Sequence, residues 1–249
     1  VVGATRKDAD LFEYGQTNEL FKKTNPDIIV NAAARVGGIH ANNSQRTLFI
    51  TQNLKINLNI IESLKEKPHI KLINLGSSCI YPVDAENPIK EDSLMTGPLE
   101  PTNSPYALAK ISAIEMGRAL NHDFGNQVIN LMPTNLYGPN DFFHESLSHV
   151  IPGMMLKMHK AKIKNEKTFS VWGTGKPLRE FLYVDDLSYA VNHILNIDTK
   201  TDLINVGSSK EISISKLSLM MKEIIGYEGD IIFDSTKPDG NPRKLLDSE

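Results

Sequence analysis

Three short apolar runs recur along the chain, and a longer stretch with helical spacing follows each of the first two. The runs are DIIVNAAA at 27–34, IKLINL at 70–75 and QVINLM at 127–132. Each has the continuous hydrophobic character of a strand that is covered on both faces. Apolar side chains recur near helical spacing in residues 44–66 and 104–123. Strands that alternate with helices predict an α/β fold with a doubly wound parallel sheet.

The second half of the chain is less regular. We predict a helix near 185–196, a strand near 203–206 and a helix near 213–225. We therefore expect two domains, a doubly wound domain at 1–140 and a smaller, substrate-facing lobe at 141–249 that is partly interleaved with it.

Composition excludes several classes of protein. The 249 residues carry 27 basic and 30 acidic side chains, and a net charge of −3 provides no general attraction to nucleic acid or to an acidic membrane. No run approaches the ~20 apolar residues of a membrane span. The single cysteine, Cys79, excludes an internal disulfide and a Cys-rich zinc site, and it fits the reducing cytoplasm. We predict no metal site and neither a nucleic-acid nor a membrane partner.

Small or polar residues follow each predicted strand, where ligands bind in an open α/β sheet. Ser77 follows the second strand, and Tyr106 and Lys110 lie one helical turn apart on the next helix. An ammonium near a phenol lowers its pKa. Together the three side chains suit the interconversion of a carbonyl and an alcohol, which needs a proton relay at oxygen. A Tyr-Lys pair alone is common on solvated helices, but the Gly-Ser before it and Pro133-Thr134-Asn135 after it favour catalysis.

The order of NAAA, GSS, YALAK and PTNLYGP resembles the extended short-chain dehydrogenase/reductases. More particular stretches are similar to one branch of that family: VGGIHANN at 36–43, GSSCIYP at 76–82, SHVIP at 148–152, VWGTGKPLREFLYVDD at 171–186 and KPDGNPRKLLD at 237–247. That branch epimerises GDP-4-keto-6-deoxy-D-mannose at C3 and C5 and then reduces C4 with NADPH. The resemblance implies a Rossmann-like fold, NADPH as cofactor and a GDP-sugar as substrate.

The resemblance also implies roles for five catalytic residues. Ser77, Tyr106 and Lys110 match the reductive triad, in which Tyr106 protonates the C4 oxygen and Lys110 holds the nicotinamide ribose. Cys79 and His149 match a pair that exchanges protons at C3 and C5, and thiols and imidazoles both titrate near neutral pH. A buried cysteine is also often only a small hydrophobe, a histidine before a helix is often structural, and His144 lies close by.

Binding residues are implied in the same way. The matched cofactor residues are Arg6, Leu75, Gly76, Ser77, Ser78, Lys110, Pro133, Thr134, Asn135, Leu136 and His149. Arg6 follows an expected strand at 1–5 and lies near the adenosine 2′-phosphate, although a solvated surface arginine is the alternative. The matched substrate residues are Lys157, Trp172, Arg179 and Asp239. Lys157 stands where the family often has arginine, and Asp239 is also an ordinary turn former.

The sequence departs from the family at its ends. The Gly-rich strand–turn–helix unit that opens the family's fold has no counterpart here, and neither do its last helices. We therefore expect a chain truncated at both ends, which folds poorly and binds NADPH weakly alone. The resemblance further implies a homodimer through the helices at 44–66 and 104–123.

Three alternatives stay open. The first is another sugar-nucleotide enzyme of the same fold, a 4-epimerase or 4,6-dehydratase, which would not need the pair Cys79 and His149. The second is a non-catalytic dinucleotide sensor, which would have lost part of the Ser-Tyr-Lys set. The third is a fragment without activity of its own.

Overall fold

A parallel four-stranded sheet forms the centre of the protein in its computed structural model, which describes residues 1–237 and 239–249. Its strands lie in the order β1 (Ile28–Asn31), β2 (Lys71–Leu75), β3 (Gln127–Pro133) and β7 (Leu203–Val206). The three apolar runs are therefore neighbouring parallel strands, as predicted, although β1 is shorter than the run at 27–34. Because β7 comes from the second half of the chain, the two halves interleave in this sheet.

Helices cover both faces of the sheet, since successive side chains of a strand point to opposite sides. Leu72 and Val128 pack against one face, with helices α1 (Tyr14–Thr24), α3 (Arg46–Leu64) and α4 (Ser104–Phe124). Ile73 and Ile129 pack against the other face, with Ile194 of helix α6 (Val184–Leu195). This arrangement confirms the predicted doubly wound fold.

One local prediction is confirmed and another is wrong. The helix expected at 44–66 is α3 (Arg46–Leu64), and a short helix that was not predicted, α2 (Ile39–Ser44), precedes it; Gln45 separates the two with a non-helical backbone conformation of φ −124° and ψ 36°. The strand expected at 1–5 is absent. A strand needs a neighbour to pair with, and no described strand lies against the outer edge of β1.

A smaller lobe follows the third strand of the main sheet. It contains a three-stranded sheet of β4 (Asn135–Tyr137), β6 (Leu178–Tyr183) and β8 (Glu211–Ser213), and a parallel pair of β5 (Thr168–Trp172) and β9 (Asp230–Asp234). Helices α5 (Val150–Ile163) and α7 (Ile214–Ile225) pack on the β5–β9 pair through a core that contains Met158 and Phe169. The domain division at 140 stays a prediction.

An asparagine ladder crosses the main sheet. Asn31, Asn74 and Asn130 occupy the same level in three neighbouring strands. The Asn31 amide donates to the Asn74 side-chain oxygen at 2.9 Å, and the Asn74 amide donates to that of Asn130 at 3.1 Å. All three residues are buried. The ladder therefore satisfies polar groups that would otherwise be costly inside the protein.

In the described part of the chain, no helix combines the length and the apolar character that a membrane crossing requires.

Candidate active site

The chain turns sharply where β2 ends, and this turn holds Ser77 beside Cys79. Gly76 leaves room for the Met132 side chain beside this turn, because a Cβ there would lie 2.0 Å from the Met132 Cε. A short 3-10 helix at Ser78–Ile80 follows, and the Ser77 Oγ accepts a hydrogen bond of 3.4 Å from the Cys79 N–H. Cys79 is only 8% exposed. The serine and the thiol are therefore fixed together at the carboxyl edge of the sheet.

Tyr106 and Lys110 lie on the first turns of α4, next to the end of β2. Lys110 is 3% exposed, and its Nζ donates a 2.7 Å hydrogen bond to the Leu75 carbonyl. The same Nζ lies 5.8 Å from the centroid of the Tyr106 ring, which packs edge-on against Phe49. The fold thus assembles Ser77, Tyr106 and Lys110 at one place.

Burial dominates the electrostatics of this cluster. It lowers the pKa of Lys110 to about 8, although the charge of Cys79 works in the opposite direction. It raises the pKa of Tyr106, the charge of Cys79 raises it further, and the interaction with Ser77 opposes both. The sequence predicted a lowered phenol pKa, and that expectation is wrong for this arrangement. Burial of the phenol is the largest influence on its pKa, and Lys110 is not among the groups that shift it.

The thiol of Cys79 has a neighbour that the sequence analysis missed. Burial raises the pKa of Cys79, and the charge of Lys244 is the largest influence that lowers it, ahead of Ser77 and Lys110. Burial lowers the pKa of Lys244 in turn, while Cys79 and Glu100 raise it and Arg179 lowers it further. The only signal in the sequence was the stretch KPDGNPRKLLD. Its approach to Cys79 depends on the folded path of the chain.

Lys244 belongs to residues 239–247, which run between the lobe and the main sheet. We call these residues the crossing segment. On the lobe side, an Nη1 of Arg179 donates to the Asn241 carbonyl at 2.6 Å. On the other side, the Ile89 N–H donates to the Leu245 carbonyl at 2.8 Å. Lys244 lies between these two anchors.

His149 begins α5, at some distance along the chain from the other candidates. The residue is exposed, yet enough protein surrounds the imidazole to lower its pKa, and Asp141 opposes this. His149 is not among the groups whose charge acts on Cys79. The loop before it packs on the VGGI stretch, where the Gly38 N–H donates to the Leu147 carbonyl at 3.0 Å and a Cβ on Gly38 would lie 2.5 Å from the Ser148 carbonyl oxygen.

His144 has a different environment. Its Nδ1 accepts hydrogen bonds from the backbone N–H groups of Ser146 and Leu147, both at 3.2 Å. This nitrogen therefore stabilises its own loop.

Two arginines line an open cavity of about 510 Å³ beside α3. The guanidinium of Arg6 lies 4.8 Å from the Phe12 ring centroid. Arg35 was not predicted. It donates to Gln52 at 3.1 Å and to Gln45, but its Nε is buried without a partner among the described residues. A buried N–H of a guanidinium group suits an anionic oxygen, so this cavity fits the phosphates of a dinucleotide.

Other residues predicted to bind the cofactor have structural contacts. Ser78 is buried in the turn after β2, Pro133 ends β3, and Leu136 lies in β4. The Thr134 hydroxyl and the Asn135 amide donate to the Glu180 carbonyl, at 3.2 Å and 2.8 Å. These two side chains join the end of β3 to β6.

The predicted substrate residues lie in the lobe. Trp172 is 60% exposed, and the ammonium groups of Lys157 and Lys237 each lie 5.8 Å from its ring centroid. Asp239 accepts hydrogen bonds from the Thr174 N–H and hydroxyl, at 2.6 Å and 2.8 Å. It therefore fixes the loop after Trp172, a contact with a distant part of the chain that differs from the local turn role considered in the sequence.

Arg179 is half-buried, and its burial lowers the guanidinium pKa while Asp239 opposes this. It also holds the crossing segment, through the Asn241 carbonyl.

A larger hollow of about 960 Å³ lies beside β1 and is lined mainly by residues of the first 34 positions. Of the predicted site residues it contains only Arg6. Among the described residues, no three His, Cys, Asp or Glu side chains are grouped so that they could hold a metal ion. Ser77, Cys79, Tyr106 and Lys110 stay the predicted catalytic group.

Known proteins resemble this chain over its whole length. The sequence model of the NAD dependent epimerase/dehydratase family matches residues 1–207. A probable GDP-L-fucose synthase 1 of Oryza sativa subsp. japonica is 47% identical, over 100% of this chain and 76% of the relative. The GDP-L-fucose synthase of Escherichia coli (strain K12) is 43% identical, over 98% of this chain and 78% of the relative.

Solved structures agree in fold. A GDP-6-OMe-4-keto-L-xylo-heptose reductase from C. jejuni superposes with a TM-score of 0.90 at 31% identity, over 99% of this chain and 82% of the neighbour. A GDP-L-fucose synthetase from Naegleria fowleri bound to NADP superposes with a TM-score of 0.88 at 31% identity, over 99% of this chain and 76% of the neighbour.

Proposed function

Because the chain belongs to the NAD dependent epimerase/dehydratase family, we propose that it is an NADPH-dependent GDP-L-fucose synthase. It epimerises GDP-4-keto-6-deoxy-D-mannose at C3 and C5 and then reduces C4. One observation carries this proposal: the thiol of Cys79 lies within a complete Ser77, Tyr106 and Lys110 set, with a second lysine, Lys244, beside it.

The chain's own residues fit NADPH. Arg6 and Arg35 line the cavity that suits its phosphates, and the unpartnered Nε of Arg35 supplies a donor. The backbone of residues 75–78 and of 133–136 lies at the carboxyl edge of β2 and β3, where ligands bind in this fold. Lys110 and His149 complete the proposed contacts. NADPH, when bound, supplies the hydride for C4.

Tyr106 is the proton donor for the reduction. Its raised pKa keeps the phenol protonated at neutral pH, which a donor to the developing C4 alkoxide requires. Ser77 hydrogen-bonds the same substrate oxygen. Lys110 supplies positive charge beside the phenol, anchored by the Leu75 carbonyl.

Epimerisation uses the same ketone as an electron sink. A base removes the proton at C3 or C5, the electrons move to the C4 oxygen to form an enolate, and an acid returns a proton on the opposite face. We assign these exchanges to Cys79 and His149. Lys244 favours the thiolate form of Cys79 against the burial that opposes it.

The GDP-sugar lies against the lobe. Trp172 offers an exposed aromatic face, and Lys157 beside it offers positive charge. Arg179 binds the diphosphate, for which a guanidinium has matching geometry. Asp239 contributes indirectly, because it fixes the loop that follows Trp172.

Isotope exchange tests this function. The chain is supplied with NADPH and GDP-4-keto-6-deoxy-D-mannose in deuterated water, and the product is analysed by NMR. We expect deuterium at C3 and C5 of GDP-L-fucose. We expect Cys79→Ser to slow the exchange and Tyr106→Phe to slow the reduction, whereas His144→Ala, as the control, keeps both.

Reduction at C4 without exchange would leave a simple reductase, and wild-type exchange in Cys79→Ser would remove the catalytic role of the thiol.

We also propose a cytoplasmic homodimer. Leu58 on α3 and Leu108 on α4 are each 47% exposed, on two helices that pack against each other. A dimer formed through these helices would cover both side chains. Light scattering is expected to give twice the 27.7 kDa mass of the chain. A single free thiol fits a reducing compartment, and cell fractionation would test the location.

A further inference from the structure

Glu180, in the middle of β6, is a fully buried carboxylate with 0% exposure. Its Oε1 accepts hydrogen bonds from the backbone N–H groups of Ser208 and Ser209, at 2.6 Å and 2.8 Å. Its Oε2 accepts one from the Leu246 N–H at 3.0 Å. No lysine or arginine of the described residues forms an ion pair with it. Three backbone donors therefore hold this charge.

These donors belong to two separate segments. Ser208 and Ser209 follow the end of β7, whereas Leu246 belongs to the crossing segment. Gly207 leaves room for the carboxylate, because a Cβ on Gly207 would lie 2.4 Å from the Glu180 Oε1. Burying a carboxylate costs several kcal/mol unless its partners are held in place. Glu180 thus fixes the end of the crossing segment against the main sheet.

We propose that Glu180 is a positioning residue, which holds the crossing segment so that Lys244 stays beside Cys79. The role in epimerisation rests on the proposed function, whereas the placement of Lys244 does not. Leu246 packs in one buried cluster with Ile80, the residue after Cys79, so the crossing segment passes close to the thiol. Leu246 is two residues from Lys244, so a displaced Leu246 moves Lys244 with it. Glu180 itself is not among the groups whose charge acts on Cys79.

The charged groups around the Cys79 thiol determine how its pKa would respond if the crossing segment moved. The charges of Lys244 on the crossing segment and of Lys110 on α4 lower the pKa of Cys79, and Tyr106 on α4 also interacts with the charge of the thiolate. The charges of Arg179 and Glu100 act on Lys244 in turn. Of the two lysines that stabilise the thiolate, only Lys244 lies on the segment that Glu180 holds.

The substitution Glu180→Gln can change the pKa of the Cys79 thiol in two ways, and the two changes have opposite signs. Glutamine keeps the size of the side chain, but only one of its two terminal atoms is an oxygen. Its NH₂ group cannot accept a hydrogen bond from a backbone N–H, so at least one of the three hydrogen bonds is lost. If the crossing segment is released, Lys244 moves away and the pKa of the thiol rises. If only the loss of a negative charge mattered, the pKa of the thiol would fall.

The pH dependence of alkylation by iodoacetamide measures this directly, because Cys79 is the only cysteine in the chain. We expect the inflection of the rate profile to move to higher pH in Glu180→Gln and in Lys244→Met. Each pKa increment of one lowers the thiolate fraction about tenfold, so we expect alkylation at pH 8 to slow about three- to tenfold. The double variant should shift no further than Lys244→Met, since both changes act through one contact.

Two further variants complete the test. Asn126→Ala removes buried hydrogen bonds to the Leu64 and Lys67 carbonyls, away from the crossing segment, and should leave the inflection unchanged. If Glu180→Gln does not fold, Gly207→Ala keeps the carboxylate but displaces it, and the same upward shift is expected.

An unchanged or lowered inflection in Glu180→Gln, additive shifts in the double variant, or no shift in Lys244→Met would each overturn the proposal. Alkylation needs neither substrate nor cofactor. A chain that fails to make GDP-L-fucose would therefore still answer the question about Glu180.

Discussion

Lys110 lies in the protein interior at a cost in stability that can be measured. Its ammonium is 3% exposed, its described hydrogen bond goes to the Leu75 carbonyl at 2.7 Å, and burial lowers its pKa from 10.5 to about 8. Replacing it by methionine keeps the length of the side chain and removes the charge. We expect Lys110→Met to raise the free energy of unfolding at neutral pH.

The magnitude follows from the pKa difference. A decrease of about 2.5 corresponds to about 3 kcal/mol of lost stability, at 1.36 kcal/mol for each unit of pKa. Methionine leaves the Leu75 carbonyl without its donor, which costs about 1–2 kcal/mol. The expected net gain is therefore about 1–2 kcal/mol at pH 7.

The pH dependence has a definite sign. Between about pH 8 and 10.5 the unfolded chain binds the proton of Lys110 and the folded chain does not. The wild type therefore gains stability as pH rises through this window, and the full burial cost is present only below about pH 8. The advantage of Lys110→Met should shrink, and then reverse, between pH 8 and 10.

Urea unfolding at pH 7, 8, 9 and 10 tests this, with the difference between variant and wild type as the readout. Lys110→Arg serves as the control, because its charge persists at every pH, so its deficit relative to wild type should grow with pH. A difference between Lys110→Met and wild type that stays constant from pH 7 to 10 would refute the reasoning.

Two further predictions concern the loop before His149 and the proposed dimer. Gly38→Ala places a Cβ 2.5 Å from the Ser148 carbonyl oxygen, so the loop must move; we expect about 1–3 kcal/mol lower stability by urea unfolding, together with slower deuterium exchange at C3 and C5. Exchange at the wild-type rate would show that this loop does not position His149. Leu58→Glu combined with Leu108→Glu should give the 27.7 kDa mass of a monomer by light scattering, whereas Leu219→Glu on α7, also exposed, should not. A dimer that persists in the double variant would place the interface elsewhere.

The fold could largely be predicted because its strands are continuous apolar runs. Strands β2 and β3 and helix α4 lie within one or two residues of their predicted positions, since burial on both faces leaves a clear pattern in the sequence. Helix α3 also lies within two residues of its prediction. The short helix α2 was missed, because its six residues are too few to show a helical apolar spacing.

The candidate site was predictable where its residues follow a strand or share a helix turn. Ser77, Tyr106 and Lys110 meet because parallel strands end at one edge. The influence of Lys244 on the pKa of Cys79 was not predictable, since it depends on where the crossing segment passes. The raised pKa of Tyr106 was missed for a related reason: spacing places an ammonium near a phenol but does not reveal how deeply both are buried.

The asparagine ladder has a consequence for how the chain chooses its pairing. The strands β1, β2 and β3 carry similar aliphatic side chains, and these would pack nearly as well if one strand slid along its neighbour. Only the correct alignment brings Asn31, Asn74 and Asn130 to one level. Any shift of register would leave buried side-chain amides without hydrogen-bond partners, at a cost of about 1–3 kcal/mol each. The ladder therefore specifies the register in which β1, β2 and β3 pair.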